Sequence, residues 1–175
     1  MKILLIIIIT LLPILLWGQA DSCFQYEKAL NYLKQDSIFQ SYYSKVKLKF
    51  RISEEVGEGG VSPVMTRAYV AGKLGYDDEV YFYRVDSSLV YPMARKIEKE
   101  ERLDTNKYIL NCLSEIKVKR NPKTKVDFYR KDPDVIVVHT KRIYKRARHT
   151  YGMIHLFFFD DEDNIQKVFD VTWIE

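Results

Sequence analysis

The fold is decided by the C-terminal stretch Tyr151–Glu175, YGMIHLFFFDDEDNIQKVFDVTWIE. Side chains of a strand alternate between its two faces, and in Tyr151–Phe159 both alternating sets are apolar apart from His155. Such a strand belongs inside a sheet that is covered on both sides. The acidic run 160–164 is typical of a turn, and apolar residues then recur at odd positions. We predict a hairpin whose second strand has one dry face, formed by Ile165, Phe169, Val171 and Trp173.

The composition is that of a single domain. A chain of 175 residues, 47% of them hydrophobic, is long enough for one core and short for two domains. We therefore predict one domain over residues 21–175. Without residues 1–20 the chain has 27 basic and 24 acidic residues, and this net charge of +3 does not indicate a nucleic-acid partner.

The N-terminus has the organisation of a secretory signal peptide. Lys2 precedes the apolar segment Ile3–Trp17, and the small residues at 18 and 20 suit cleavage after Ala20. We predict a cleaved signal at 1–20, and hence a secreted or periplasmic protein with no membrane span after cleavage. One alternative is an uncleaved anchor, although this proline-interrupted segment is shorter than the ~20 residues that span a bilayer. The other is a lipoprotein acylated at Cys23, although aspartate at 21 does not suit lipid attachment.

The first third of the remaining chain predicts a helix, a strand and a loop. Ser22 and Gln25 have the spacing of a capping box, which predicts a helix over Cys23–Gln35. Val46–Ile52 alternates with lysine and arginine, which predicts a half-buried strand with a cationic outer face. The glycine- and glutamate-rich segment Glu54–Pro63 is predicted to be a loop.

The rest of the chain mixes strand and helix patterns. Aromatic and β-branched residues predict strands over Met65–Ala71, Glu79–Asp86 and Asp134–Thr140. Charge pairs at one-turn spacing predict a helix over Met93–Leu103 that begins at Pro92. An apolar stripe predicts another helix after Asp104, and the basic, proline-interrupted segment Lys117–Lys131 is predicted to be a connector. The members of that stripe are Ile109, Cys112, Leu113 and Ile116.

This element order predicts an α+β domain in which a mostly antiparallel sheet packs against N-terminal and middle helices. A curved sheet of the cystatin-like or nuclear-transport-factor-like kind is compatible with it. That comparison concerns element order alone, and it carries no function.

The two cysteines, Cys23 and Cys112, both lie on the apolar side of a predicted helix. In an exported chain two cysteines can form one intramolecular bond, so we predict a Cys23–Cys112 disulfide. The alternative is two buried free thiols that pack as small apolar groups. A nucleophilic cysteine is not indicated, because neither position predicts an exposed, electropositive pocket.

No zinc-binding or nucleophile-elbow motif is present in the sequence. Of the three histidines, His139 and His155 lie on predicted strands and can approach each other if those strands are neighbours. The chain has no His-Glu-x-x-His or Gly-x-Ser-x-Gly pattern, so we expect no metal and no cofactor, and packing roles for the histidines. The alternative is a hydrolase whose catalytic residues come from separate strands.

Basic residues are concentrated in residues 117–148, which contain twelve lysines and arginines and three aspartates. Such an excess concentrates anions, and arginine beside tyrosine suits phosphate, carboxylate or sugar-phosphate groups. The favoured function is therefore a non-enzymatic binding or structural protein that meets an anionic envelope polymer or a partner protein. The alternative is a solvated hairpin end that balances the acidic tail. The predicted anion-binding residues are Lys141, Arg142, Tyr144, Lys145, Arg146 and Arg148.

Overall fold

The computed structural model describes residues 23–37, 39–40, 50–58, 63–76, 87–101, 107–114, 124–142 and 151–174, which form an α+β fold. The strands are β1 Phe50–Glu58, β2 Lys107–Ile109, β3 Thr124–Asp132, β4 Val135–Arg142, β5 Tyr151–Phe159 and β6 Ile165–Ile174. The helices within these ranges are α1 (residues 23–35), α2 Pro63–Lys73, α3 Ser87–Glu101 and α4 Asn111–Ser114, and residues 37, 39 and 40 are also helical.

The six strands form one mixed sheet in the order β2-β1-β3-β4-β5-β6. β1 and β3 are parallel, and every other neighbouring pair is antiparallel, so the prediction of a mostly antiparallel sheet is confirmed. β5 lies between β4 and β6, away from the edges of the sheet.

Helices cover both faces of the sheet and create two cores. On one face α1 buries Tyr26, Leu30 and Leu33 against side chains of β1 and β3–β5. On the other face α2 and α3 cover β4–β6, with Met65 and Ala68 of α2 in the core. The prediction that β5 is buried on both faces is confirmed, because its alternating side chains divide between the two cores. Met153, Phe157 and Phe159 face α1, whereas Ile154, Leu156 and Phe158 face α2.

A bulge in β6 changes the predicted face of one residue. Phe158 pairs with Lys167 and Phe159 with Ile165, so one extra residue lies in β6 at this point. Phe169 and Val171 form the dry face as predicted, packed on the α2 side. Ile165 packs on the α1 side instead, because the extra residue inverts the alternation.

The segment Met65–Ala71, predicted to be a strand, lies in helix α2. Met65, Ala68 and Ala71 are buried at three-residue intervals, the spacing of a helix face. Alanine, methionine, arginine and lysine also favour helix. The strand prediction was wrong because it weighted tyrosine and valine content above this period.

The segment Thr124–Asp132, predicted to belong to a basic connector, is the inner strand β3. Thr124, Val126 and Phe128 are buried, and the residues between them are partly exposed. This alternation is present in the sequence, but the surrounding lysines and arginines obscured it.

Two further predictions were wrong near the edge of the sheet. Residues 54–58, predicted to be a loop, belong to β1, and residues 107–109, predicted to be helical, form β2. The two segments pair with each other, as in Val56↔Tyr108, so ladder hydrogen bonds hold both extended. Within the described part of the predicted helix, residues 107–114, only Asn111–Ser114 is helical, and Ile109, predicted to face the core, is 67% exposed.

The remaining helix predictions are confirmed with one shift in a boundary. α1 covers residues 23–35 as predicted, whereas α3 begins at Ser87 and therefore contains Pro92 inside it. The predicted signal at 1–20 and the predicted strand over 79–86 lie outside the described residues. No helix within the described ranges is both long enough and apolar enough to cross a bilayer.

The predicted Cys23–Cys112 disulfide is confirmed. The two Cα atoms are 6.0 Å apart, and the bond joins the first residue of α1 to α4, 89 residues further along the chain. Close to the bond, the hydroxyls of Tyr26 and Tyr108 form a hydrogen bond of 2.7 Å between α1 and β2. These contacts attach α1 to the β1–β2 end of the sheet.

We predict that Gly72→Ala destabilises the protein although alanine favours helices. A Cβ atom added at Gly72 would overlap Cζ of the Phe158 ring, so the buried ring or α2 itself must shift. The expected loss in the free energy of unfolding, measured in urea, is about 1–3 kcal/mol. The double variant Gly72→Ala/Phe158→Leu removes the clash and should lose less than the sum of the single losses. A Gly72→Ala protein as stable as the parent would contradict this packing.

Candidate functional site

The sheet has a polar region on the face that α2 and α3 only partly cover. In the described part of the chain, the core on this face is built on β4, β5 and β6, and no β1 side chain belongs to it. The side chains of β1 and β3 on the same face are mainly charged or polar. We call this region the polar face and define it by Arg51, Ser53, Glu55, Gly57, Lys125, Asp127, Tyr129, His139 and Lys141.

Three cations lie side by side across this face. Arg51 of β1 is in register with Lys125 of β3, which is in register with Lys141 of β4. Neighbouring strands are about 4.8 Å apart, so the backbone positions of these three residues follow one another across the sheet at about that interval. We call them the cationic row. Like charges directly opposite each other destabilise a sheet, so this arrangement favours a bound anion.

The local sequence explains why the three side chains share a face. Each cation follows or precedes a side chain buried on the α1 side: Ile52 beside Arg51, Val126 beside Lys125, and Thr140 beside Lys141. Alternation along each strand then directs the cation to the opposite face. Of the cations predicted on the outer face of the first strand, the structure describes Arg51, which lies on the polar face. The others lie in residues 45–49, outside the described ranges.

Only part of the positive charge is neutralised by neighbouring carboxylates. Nζ of Lys125 lies 2.7 Å from Oδ1 of Asp127, whose side chain is 14% exposed. Within the described ranges, no ion pair involves Arg51 or Lys141. The row together with Asp127 therefore has a charge of +2.

A small groove of about 90 Å³ adjoins the row between β2, β1 and β3. Nζ of Lys107 lies 3.3 Å from Oε2 of Glu55, so the groove contains two ion pairs, this one and Lys125–Asp127. The ring of Tyr129 lies against Gly57, where a Cβ atom would approach Cδ1 of the ring to 2.7 Å. The residues around the groove are Ser53, Glu55, Gly57, Lys107, Lys125, Asp127, Phe128 and Tyr129.

The Tyr129 hydroxyl is a hydrogen-bond donor at neutral pH. Burial raises the pKa of Tyr129, and the negative charge of Asp127 raises it further. The groove therefore offers a neutral phenol, two carboxylates that accept hydrogen bonds and two ammonium groups that donate them.

Of the six predicted anion-binding residues, the structure describes Lys141 and Arg142 at the end of β4. They are consecutive in a strand and so belong to opposite faces: Lys141 lies on the polar face, and Arg142 is in register with buried Thr124. Tyr144, Lys145, Arg146 and Arg148 lie outside the described residues, and their role stays a prediction.

Sequence reasoning missed the partners of Lys141 in the row. Arg51 and Lys125 are 74 positions apart, and only the parallel pairing of β1 with β3 brings them together. Lys125 was also assigned to a connector. The available signal was the buried alternation Thr124, Val126, Phe128, which directs Lys125 to the opposite face.

His155 and His139 do not approach each other, although their strands are neighbours. His155 faces α1 with Phe157, whereas His139 is on the opposite face with Val137. His155 is 0% exposed, and its Nε2 lies 3.4 Å from Oδ1 of Asp170. Within the described residues, neither atom makes a hydrogen bond. This contact is closed to a substrate within the described part of the chain, so it does not favour the hydrolase hypothesis, which stays a prediction.

The pKa values of the buried pair, His155 and Asp170, are shifted in opposite directions. Burial lowers the pKa of His155 to about 4, with Asp36 acting in the opposite direction. Burial raises the pKa of Asp170 to about 6, and Asp36 raises it further. Burial and the carboxylates of Asp170 and Asp36 also raise the pKa of Tyr32. The neutral imidazole is therefore the form that the folded protein stabilises.

The acidic turn 160–164 anchors α1. Nζ of Lys28 donates hydrogen bonds to the carbonyl oxygen of Asp163 at 2.7 Å and to Oδ1 of Asn164 at 2.9 Å. Oδ1 of Asp160 accepts backbone N–H groups within the turn, and the bond from Asn164 is the main cause of the lowered pKa of Asp160. The turn therefore has the structural role that its sequence predicts.

A second charged cluster joins α2 to the β3–β4 hairpin. Nζ of Lys73 lies 3.2 Å from Asp132 and 2.7 Å from Asp134, and the Tyr69 hydroxyl donates to Asp132. Nζ of Lys131 lies 5.0 Å from the centre of the Tyr69 ring, and burial lowers the pKa of Lys131 to about 8. This cluster fixes the end of α2 against the sheet.

Among the described regions, the polar face is therefore the best candidate for binding a ligand. Within the described ranges, no group of three or more His, Cys, Asp or Glu side chains has the arrangement of a metal site. Comparison with protein-family models, curated proteins and solved structures finds no match for this chain.

Proposed function

We propose that this is an exported, non-enzymatic binding protein that holds an anionic ligand on its polar face. The observation that carries the proposal is the cationic row, Arg51, Lys125 and Lys141, on three adjacent strands. An anion placed over the row removes the repulsion between neighbouring cations. The guanidinium of Arg51 can also bind a carboxylate or phosphate through two parallel hydrogen bonds.

Two further features support export. The leader 1–20 has the pattern of a secretory signal, and disulfides such as Cys23–Cys112 persist mainly in oxidising compartments. We therefore place the protein in the cell envelope or outside the cell, where an acidic polymer or protein is the available anion.

The function is tested by replacing two cations of the row. Arg51→Ser/Lys141→Ser should weaken binding of polyphosphate about tenfold, which corresponds to ~0.7 kcal/mol for each charge, and should reduce its salt dependence. Lys125 is retained in this variant because its removal leaves Asp127 without its partner. Binding is measured by calorimetry at several salt concentrations.

The matched control is Arg95→Ser/Lys96→Ser, which removes the same two residue types from exposed positions of α3. Only long-range electrostatic attraction is lost in this control, so its affinity for polyphosphate should change less than about twofold. Equal losses in both double variants, or a parent protein that binds neither polyphosphate nor any other polyanion, would overturn the proposed function.

A further inference from the structure

We infer that the anionic ligand is an acidic polysaccharide, in which one sugar unit occupies the groove beside Tyr129 and the carboxylates of neighbouring units bind the cationic row. This inference rests on the proposed function and adds the class of ligand. It is carried by the groove and the row lying on one face, with Lys125 common to both.

The groove suits a hydroxyl-rich group better than an anion. Its two carboxylates, Glu55 and Asp127, are matched by its two ammonium groups, Lys107 and Lys125, so its formal charge is zero. A phosphate or sulfate gains no net attraction from such a lining. A sugar hydroxyl both donates and accepts, and can bind carboxylate oxygens and ammonium groups together.

Tyr129 gives the groove one apolar wall. Its ring lies over Gly57, which has no Cβ to hold the ring away from the backbone of β1. Ligand sites typically combine aromatic surface with a few polar groups that orient the ligand. An aromatic face beside paired carboxylates and ammonium groups matches a sugar ring, whose C–H groups and hydroxyls point in different directions.

The row indicates a polymer rather than a single acidic sugar. From Lys125 at the groove, Arg51 lies one strand away on one side and Lys141 one strand away on the other. A chain that crosses the strands therefore passes a strand that carries a cation about every 4.8 Å, an interval comparable with one sugar unit. Arg51 and Lys141 make no ion pair within the described residues, and they lie on either side of the Lys125–Asp127 pair. A single uronic acid can use one of these two cations, whereas a polyuronate can use both.

The test uses ligands matched in length. An oligogalacturonate should bind the full-length secreted protein at least about tenfold more tightly than its methyl ester, which has the same sugars without charge, and more tightly than polyphosphate of equal charge. Tighter binding of poly-glutamate than of the oligogalacturonate would overturn the inference in favour of an acidic protein partner.

The decisive variant is Glu55→Ala, which removes a hydrogen-bond acceptor from the groove and raises the net charge by one. Oligogalacturonate binding should weaken about tenfold, whereas polyphosphate binding should stay unchanged or strengthen. The control Glu27→Ala makes the same charge change at an exposed position of α1 and should weaken neither ligand. If Glu55→Ala strengthens both ligands alike, the sugar inference fails while the proposed anion-binding function stands. If the parent protein binds no polyanion, both fail.

Discussion

Cys112→Ser should lower the free energy of unfolding by about 4 kcal/mol under oxidising conditions. The disulfide closes a loop of 89 residues, and closing a loop of that length in the unfolded chain accounts for roughly this stabilisation on the chain-entropy model. Cys23 and Cys112 also pack against the α1-side core, so the loss should be accompanied by looser attachment of α1. Urea unfolding with and without reductant measures the effect.

The design that tests the bond itself compares the single variants with Cys23→Ser/Cys112→Ser. Opening one bond has the same effect whichever partner is replaced, so the double variant should be no less stable than either single variant. Reductant should destabilise only the parent protein. Losses that add in the double variant, or a parent protein insensitive to reductant, would mean two independent buried thiols.

Asp170→Asn and His155→Leu should give opposite pH dependences of stability. Burial lowers the pKa of His155 from 6.5 to about 4, so its contribution is present above pH 6.5 and is lost as the pH falls through about 4. Burial raises the pKa of Asp170 from 3.8 to about 6, so its contribution is present below pH 3.8 and is lost as the pH rises through about 6. At 1.36 kcal/mol per pKa unit, each contribution amounts to about 3 kcal/mol.

These two contributions largely cancel in the parent protein between pH 4 and pH 6. Relative to the parent, Asp170→Asn should therefore lose about 3 kcal/mol on acidification from pH 6.5 to pH 4, and His155→Leu should gain a similar amount. Urea unfolding across this range measures the difference, in which the titrations of other groups cancel. The same slope in both variants would contradict the opposed pKa shifts of the pair.

The sequence predicted the elements whose signal is local. The burial of β5 on both faces, the course of α1 and β4, and the disulfide partners are confirmed. In each case the information is contained in residues two, three or four positions apart, or in the presence of only two cysteines. The elements that were predicted wrongly carry mixed signals, as in Met65–Ala71, where strand-favouring residues occur at helical spacing.

The candidate site was predicted only in part. Excess positive charge indicated a basic surface, and Lys141 lies on it, but Arg142 belongs to the opposite face. Arg51 and Lys125 could not be assigned, since each is an ordinary outward cation of its own strand. The groove was not predictable either, because it requires Gly57 and Tyr129 to lie side by side on strands far apart in the chain.

By itself, the sequence determined which side chains of β5, and of β6 beyond its bulge, point inward, and therefore that the chain ends in a hairpin of a sheet. Alternation sets this, and it is a property of neighbouring residues. Only the tertiary structure decided that β1 lies parallel to β3 and that three cations from distant segments stand in one line. The order of the strands is set by the free energy gained when whole faces of the sheet are buried against helices. Many residues from distant segments contribute to that free energy, and they share no local sequence pattern.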